Sequence, residues 1–575
     1  MNDIQPHEFR FKRGATIVKY LNQFSATEKM IFGAFVLLAL VTTLTMVTKT
    51  SNHFSTDIPA YGGTLREGAV GLPRNINPIL AITPIDRDIS ALVYSGLMKY
   101  SEGKLVPDLA QSYSVSTDGL TYTFKLKSRT KFHDDAPLTA DDIAFTIQKI
   151  QDPGLKSPRR PDWLDVTVEV VSPTEIKLIL KQPYSPFLGN TTIGIVPKHI
   201  WEGVNNEQFI FSQYNIEPVG SGPYKLASIS HDRGGIPTSY KLESWGGYYG
   251  KEPYIETISF NFFVDENRAL EALDQGTIDS LPSISPVAAS RLDANKAQAY
   301  TVVSTPLPRV FGVFFNQNQS PVLADSVVRR ALDIAVDRKK IISNVLKGYG
   351  TALHSPVPLT SSTTTGSTFK EIGDIPAAQA LLEKNGWLPN AEGIYTKKSA
   401  VLSFDIYTAD SPDLVETAEL VKAAWTAMGA RVTVKIYEAN DLYQNIIRPR
   451  KYDALLFGEA IGKDRDVYAF WHSSQRIAPG LNVALYANSK ADKLLEDIRT
   501  ISNEADRNQK YEQFNSLIQD DIPAVFLYVP DFIYAIPKAL KNTNFGSITM
   551  ASDRWNNEST WHIETEKVWK LFVKD

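Results

Sequence analysis

The 575-residue sequence predicts a membrane-attached protein whose larger part is an α/β fold of two or three domains. Single hydrophobic cores stop growing near about 250 to 300 residues, so a chain of this length needs more than one. Patterns typical of strands dominate up to about residue 320, and helices alternate with strands after it. That alternation is typical of an α/β lobe with a largely parallel sheet.

The apolar run from Met30 to Val47 is predicted to be a transmembrane helix. Its 18 residues carry no charge, and at about 1.5 Å per residue they span roughly 27 Å, which is enough to cross a bilayer. Basic residues outnumber acidic ones before it, so residues 1–29 are expected in the cytoplasm and the rest outside. A cleaved signal peptide is the alternative, although its apolar core is normally shorter. Residues 48–60, which are polar, are interpreted as a flexible tether.

The stretch "YTFKLKSRTKFHDDAPLTADDIAFTIQKI", residues 122–150, joins a strand to a helix. Its first part alternates in polarity, and its last part has helical spacing behind a capping box of Thr139 and Asp142. The loop between them holds His133, Asp134 and Asp135, which suggests either a catalytic or metal-binding role or a polar turn that leads into the helix cap. We favour the turn. A hairpin over residues 166–180 completes a β-rich region.

The second half of the chain carries clear helix boundaries. Asp325 and Asp337 are placed to cap two helices, and a longer helix begins near Pro412 and ends before Gly429. Strands are expected over residues 400–409, 430–438 and 451–460.

The composition excludes several function classes. A net charge of -4 gives no basic footprint for nucleic acid. The absence of cysteine excludes disulfides, thiolate metal sites and a cysteine nucleophile. The eight histidines are scattered and show no zinc-binding spacing, so no metal site and no cofactor are predicted. The "GSGPY" stretch at 220–224 lacks the residues of a P-loop, and no G-x-S-x-G elbow occurs.

Several long stretches carry a family resemblance. They include "LVPDLAQSYSVSTDGLTYTFKLKSRTKFHDDAPLTADDIAFTIQKI", "PVGSGPYKL", "YIETISFNFFVDENRALEALDQGTIDSL" and "FFNQNQSPVLADSVVRRALDIAVDRKKIISNVLKGYG". The chain resembles the family 5 extracellular solute-binding proteins, the peptide, dipeptide and nickel receptors of ABC importers. The resemblance covers nearly everything after the first 60 residues.

The resemblance implies a two-lobed clamshell of the type II periplasmic-binding class that closes on its ligand by a hinge. Lobe 1 would comprise residues 61–92, 200–305 and 535–575. A β-rich insert would occupy residues 93–199, with the His133 loop in its framework and away from the cleft. Lobe 2 would comprise residues 306–534.

The resemblance also suggests ligand-binding residues. Peptide-binding relatives carry an Asp after the strand that ends near Phe457, and here Asp464 or Asp466 is a candidate partner for a peptide ammonium. The alternative is that both carboxylates only cap the next helix. The usual Pro after the second Asp is Val467 in this chain. Further cleft candidates are Gly220, Ser221, Gly222, Phe315, Asn316, Trp471, Tyr224 and Tyr94, and for Trp471 core packing is slightly favoured.

The function implied is a membrane-anchored, extracytoplasmic substrate-binding protein that delivers di- or oligopeptides to an ABC permease without catalysis. A monomer is expected. The alternatives are the same fold with a nickel chelate, an oligosaccharide or a signalling peptide as its ligand, or a sensor. One histidine, His472, is available for a metal ligand. The 29-residue cytoplasmic stretch is too short for an output domain, which argues against the sensor.

Overall fold

The computed structural model describes residues 24–294, 298–358 and 373–572. In chain order the strands are β1 Ser55–Pro59, β2 Thr64–Val70, β3 Met98–Ser101, β4 Lys104–Pro107, β5 Ala110–Val115, β6 Thr121–Leu126, β7 Val166–Ser172, β8 Glu175–Leu180, β9 Tyr224–His231, β10 Pro237–Ser244, β11 Thr257–Phe263, β12 Leu281–Pro282, β13 Tyr300–Pro306, β14 Arg309–Phe315, β15 Gly350–Ala352, β16 Leu388–Pro389, β17 Tyr395–Lys397, β18 Ala400–Val401, β19 Ser403–Ala409, β20 Arg431–Tyr437, β21 Ala454–Ala460, β22 Ala524–Pro537 and β23 Thr565–Trp569.

The α-helices are α1 Ala26–Phe54, α2 Pro84–Val93, α3 Ala140–Gln151, α4 Arg160–Trp163, α5 Phe187–Asn190, α6 Lys198–Trp201, α7 Asn206–Phe211, α8 Glu266–Asp274, α9 Pro286–Asp293, α10 Pro321–Ala324, α11 Ser326–Ala335, α12 Arg338–Asn344, α13 Ile375–Lys384, α14 Pro412–Met428, α15 Ala439–Asp441, α16 Tyr468–Trp471, α17 Ser489–Thr500 and α18 Glu504–Asp521. The chain divides into a small unit, residues 1–60 and 564–575, and a large unit, residues 61–563.

The small unit contains the predicted membrane helix. Helix α1 starts after Ser25, whose backbone N–H donates to the Glu28 carboxylate at 2.8 Å, while the Glu28 N–H donates back to the Ser25 hydroxyl at 3.3 Å. Residues 26–50 are long and apolar enough to cross a membrane. Most of the predicted cytoplasmic segment, residues 1–29, lies outside the described residues.

The prediction that residues 48–60 form a flexible tether is wrong. Helix α1 continues to Phe54, and strand β1 follows it directly. Strand β1 pairs in antiparallel register with β23 from the far end of the chain, with Ser55 opposite Trp569 and Pro59 opposite Thr565. These backbone hydrogen bonds give the polar segment an ordered structure that its composition does not suggest.

The first sheet of the large unit has the strand order β2-β11-β10-β9, and only β2 and β11 are parallel. The β-rich region forms a separate antiparallel sheet, β5-β6-β8-β7, with α3 packed against β7. The predicted hairpin is β7 and β8. The predicted helix is α3, and the Thr139 and Asp142 capping box is present as expected.

The second half of the chain forms an eight-stranded sheet with the order β12-β22-β14-β21-β19-β20, in which β13 and β15 also pair with β22. The prediction of a largely parallel sheet is wrong. Strands β19, β20 and β21 are parallel, but every strand that pairs with β22 is antiparallel to it, and so is β14 to β21. The expected caps Asp325 and Asp337 are present, and Gly429 ends α14 in the left-handed region.

Strand β22 continues across the lobe boundary that the family resemblance implies between residues 534 and 535. Up to Pro530 it pairs with β14 and β15, and from Asp531 onward it pairs with β13. The connection between β13 and β14 passes from one half of the sheet to the other beside this point of β22. There the Leu307 N–H donates to the Pro530 carbonyl at 2.9 Å. Two adjacent crossings therefore join the halves of this sheet.

A fully buried arginine joins the C-terminal part of the large unit to its first strand and helix. The Arg554 guanidinium lies 2.8 Å from a carboxylate oxygen of Glu67 on β2 and 2.8 Å from one of Asp88 on α2. The side chains of Arg554 and Glu67 have no solvent exposure, and Tyr534 donates a further hydrogen bond to Glu67 at 2.7 Å. This network holds residues 551–560 in place.

Candidate functional site

A cavity of about 360 Å³ opens inside the large unit. It is lined chiefly by four segments, 78–100, 159–194, 462–464 and 549–558. The first two belong to the N-terminal and β-rich regions, and the third follows strand β21 of the eight-stranded sheet. Small-ligand sites in proteins occupy about 300 to 1,000 Å³, so this cavity has the size of a binding site.

One cavity wall is backed by a turn of three predicted site residues, Gly220, Ser221 and Gly222. These residues do not line the cavity themselves. The Gly222 N–H donates to the Val93 carbonyl at 2.8 Å, and the Ser95 hydroxyl donates to the Ser221 carbonyl at 3.3 Å. A Cβ at Gly222 would lie 2.5 Å from the Leu92 carbonyl oxygen, and one at Gly220 would overlap the Val93 carbonyl. Only glycine permits this close backbone approach.

Replacing Gly220 by alanine is expected to destabilise the protein by about 1 to 3 kcal/mol, because the new methyl group overlaps backbone that has no rotamer to change. Gly203→Ala is the matched control, since a Cβ there meets no atom within 4 Å. Urea unfolding followed by tryptophan fluorescence measures both variants. Equal midpoints for the two would contradict the close-packing role of Gly220.

His133 holds the same glycine turn from behind. Its Nδ1 accepts from the Gly220 N–H at 3.3 Å, so its Nε2 carries the proton and donates to the Gly222 carbonyl at 3.1 Å. Burial lowers the pKa of His133 to about 4, with a further lowering by Lys225 and opposing effects from the Gly222 hydrogen bond and from Asp134. The loop therefore has a structural role, but it supports the cavity wall through this turn instead of lying away from the cleft.

The low pKa of His133 predicts a loss of stability in acid. The histidine is neutral in the folded protein down to about pH 4, whereas in the unfolded chain it gains a proton near pH 6.5. Its contribution is complete above that value and falls by up to about 3 kcal/mol as the pH drops from 6.5 to 4. In unfolding measured across this range, His133→Gln is expected to have a shallower slope than wild type. Parallel slopes would refute the assignment.

Asp464 lies in the loop after β21 and lines the cavity. Tyr184 donates to its carboxylate at 3.5 Å, and the Asp466 N–H donates to it at 3.3 Å. Among the described residues, no lysine, arginine or histidine forms an ion pair with it. Burial raises the pKa of Asp464, and the neighbouring Asp466 raises it further. A bound cation would relieve both effects.

Asp466 is already engaged within the protein. Its carboxylate lies 3.0 Å from Arg499 and accepts hydrogen bonds from Tyr184 at 3.2 Å and from the Tyr468 N–H at 3.0 Å. Asp466 therefore accepts a hydrogen bond from the first N–H of α16, whose N-cap residue is Val467, and it is not among the residues that line the cavity.

The cavity wall contains an ion pair that no sequence pattern predicts. Lys463 lies 2.8 Å from Asp553, and its ammonium stands 3.9 Å from the centre of the Tyr100 ring. Burial lowers the pKa of Lys463, although Asp553 opposes that effect. Lys463 stands directly before Asp464 in the loop after β21, but its partner is 90 residues away in sequence. No local pattern could have paired them.

Charged residues also stand in the cavity wall beyond this pair. Lys99 and Asp108 form an ion pair of 3.5 Å, and burial raises the pKa of nearby Glu558 to about 7. Arg87 and Arg159 add two positive charges, and the buried Nε atom of Arg87 has no hydrogen-bond acceptor among the described residues. The cavity thus presents both signs of charge.

The other predicted cleft residues lie in several places. Tyr94 lines the cavity and is 5% exposed, whereas Tyr224 is fully buried and donates to the Ile255 carbonyl at 2.9 Å. Phe315 packs with Trp425 in the core of the eight-stranded sheet, and Asn316 is buried in a turn where it donates to the Arg450 carbonyl at 2.9 Å. Neither of these two residues lines the cavity.

Trp471 is a core residue, which is the role that its sequence context slightly favours. It is fully buried among aromatic neighbours, and its indole N–H donates to Glu459 at 3.2 Å. His472 stacks on Tyr468 with ring centres 4.1 Å apart and does not line the cavity. The described residues hold no cluster of three or more potential metal ligands.

Comparison with known proteins identifies the fold. The family model of bacterial extracellular solute-binding proteins, family 5 middle, matches residues 104–476. The oligopeptide-binding protein AppA of Bacillus subtilis is 30% identical over 555 residues, covering 93% of this chain and 98% of AppA.

Two solved structures have the same fold. One is AppA of B. subtilis in complex with a nonapeptide, with a TM-score of 0.68 at 28% identity, covering 88% of this chain and 100% of that one. The other is NikZ of Campylobacter jejuni in complex with Ni(L-His), with a TM-score of 0.69 at 26% identity, covering 87% of this chain and 99% of that one. The predicted two-lobed fold class is confirmed. The chain therefore belongs to the family 5 bacterial extracellular solute-binding proteins.

Proposed function

We propose that this protein is a membrane-anchored, extracytoplasmic receptor that binds di- or oligopeptides and delivers them to an ABC permease. Members of its family are binding proteins of transport systems and not enzymes. The observation that carries the peptide assignment is the Asp464 carboxylate, which faces the cavity and forms no ion pair with the described residues.

A peptide ammonium is the group that fits this carboxylate. A buried charge without a partner is costly, so Asp464 gains most from a ligand that brings a cation and hydrogen-bond donors together. Asp466, only two residues away, has Arg499 as its cation and serves as an internal comparison. Asp464 lacks such a cation among the described residues, and a ligand ammonium would supply one.

The opposite end of a short peptide carries a carboxylate, and Arg87 and Arg159 are candidates to receive it. Burial lowers the pKa of Arg87, and Arg159 and Arg309 lower it further. A ligand carboxylate would offset the repulsion between these arginines, and it would give the Arg87 Nε a hydrogen-bond acceptor. Asp464, Asp162 and Glu558 all line the cavity without an ion pair among the described residues. Such carboxylates beside crowded cations match a zwitterion better than an uncharged sugar.

Helix α1 supports the proposed anchor. Its apolar part is 25 residues long, and none of it is buried within the described structure. Such a helix is long enough to remain in a bilayer after export. Intact-mass measurement of the membrane-extracted protein would show whether the helix is retained, and a mature chain that begins near residue 55 would refute the anchor.

Calorimetry with defined dipeptides and tripeptides tests the ligand. Binding at micromolar Kd or tighter, about -8 kcal/mol, is expected. The same peptides with an acetylated amino terminus or an amidated carboxyl terminus should bind more weakly. If every free peptide is inert, the peptide assignment is wrong.

A nickel chelate is the second candidate, because NikZ was solved with Ni(L-His) and has the same fold. His472, the histidine considered for this role, does not line the cavity. Titration with Ni²⁺ and free histidine in the same calorimeter distinguishes the two ligands.

A further inference from the structure

A strand directly after helix α1 pairs with a strand near the C-terminus. Strand β1 begins at Ser55, directly after the last residue of α1, and its partner strand β23 runs in the opposite direction. Trp569 is paired with Ser55, and β23 therefore returns the chain to the level at which α1 ends. The segment that follows, Lys570–Phe572, forms a 3-10 turn beyond the ribbon.

This C-terminal segment exposes apolar side chains beside basic ones. Trp569 is 50% exposed and Leu571 is 85% exposed. Lys567 lies two residues before Trp569, and Lys570 lies between Trp569 and Leu571. Soluble proteins tolerate single exposed apolar residues, but tryptophan with leucine and lysine at the end of a membrane span is the composition of a bilayer interface.

The distance from the apolar span agrees with an interfacial position. The span ends at Thr50, and Phe54 lies four residues farther along the same helix. At about 1.5 Å per residue this is roughly 6 Å. The headgroup layer on each side of a bilayer is about 5 to 8 Å thick, as the difference between its total and hydrocarbon thickness indicates. The pair of Ser55 and Trp569 is thus expected within or at the edge of that layer.

We propose that the segment Val568–Phe572 is a second membrane contact, with Trp569 and Leu571 inserted into the lipid interface beside helix α1. This inference rests on the proposed anchoring by α1. The occupant of this surface is the lipid bilayer, because the β1–β23 pairing holds the exposed side chains at the level where the helix leaves the membrane. The lysines add attraction to anionic lipids.

The absence of cysteine in the chain allows a direct test. Leu571→Cys in the full-length protein is labelled with a polarity-sensitive nitrobenzoxadiazole dye and reconstituted into phosphatidylcholine–phosphatidylglycerol vesicles. Glu566→Cys is the matched control, since Glu566 is exposed on the same strand but opposite Ile58, three pairs farther from the helix. Both sites lie on the surface, so labelling should not disturb the fold.

The dye at position 571 is expected to emit at shorter wavelength and to be quenched several-fold more strongly by spin-labelled lipids than the dye at position 566. Water-like emission and equal, weak quenching at both positions, in a chain whose intact mass shows that α1 is retained, would overturn the membrane contact and leave the anchor standing. A mass that lacks α1 would overturn both. Strong quenching at both positions would refute the specific role of residues 568–572. Peptide calorimetry is unaffected by any of these outcomes.

Discussion

Asp464→Asn is expected to weaken the binding of peptides with a free amino terminus by about 2 to 5 kcal/mol, or roughly 30-fold to 5,000-fold in Kd. The substitution keeps the shape of the side chain and removes the charge that the ligand ammonium would neutralise. Asp464 has no ion-pair partner among the described residues, so the change should cost little stability. Isothermal titration calorimetry with one peptide in its free and N-acetylated forms measures the effect.

The control for this experiment is Asp466→Asn. That substitution breaks the contact with Arg499 and the cap on Tyr468, so we expect a lower unfolding midpoint with an unchanged preference for free over acetylated peptides. The acetylated peptide should bind wild type and Asp464→Asn almost equally. Equal losses for both forms of the peptide would show that Asp464 does not receive the ammonium.

Arg554→Met is expected to lower the free energy of unfolding by about 3 to 5 kcal/mol, because it leaves two buried carboxylates without their cation. Burial already raises the pKa of Glu67. The difference in the free energy of unfolding between the variant and wild type should be smaller at pH 5 than at pH 7.5. Protonation of the buried carboxylates at the lower pH removes their unpaired charge. Urea unfolding at the two pH values measures it.

Arg66→Met provides the comparison. Arg66 also binds a carboxylate through two hydrogen bonds, to Asp279 at 2.9 Å and 2.6 Å, but its side chain is 45% exposed. Exposed pairs contribute at most about 1 kcal/mol. A similar loss for both variants would mean that burial does not determine the importance of Arg554.

Local signals in the sequence predicted local structure well. The capping box of Thr139 and Asp142, the cap at Asp325 and the left-handed Gly429 depend on residues close together in sequence, and all are present. The predictions that failed depend on distant partners. The order of residues 55–59 comes from β23 at the other end of the chain, and the mixed character of the large sheet comes from β22.

The prediction of the site was limited in the same way, because its residues are distant from one another in sequence. Its loop was found through a family resemblance, and the resemblance could not decide between Asp464 and Asp466. The structure distinguishes them by their partners, because only Asp466 has a cation from helix α17. Lys463, Asp553, Arg87 and Arg159 were missed because neither residue type nor spacing marks a wall that four separate segments build.

The crossings at Leu307–Pro308 and Pro530–Asp531 restrict how the two halves of the large sheet can turn against each other. Each crossing contains a proline, whose ring fixes φ near -65°. Any rotation must therefore be absorbed by the ψ angles of the prolines and by the dihedrals of Leu307 and Asp531. The Leu307–Pro530 hydrogen bond joins the two crossings, so a change in the backbone of one crossing affects the other.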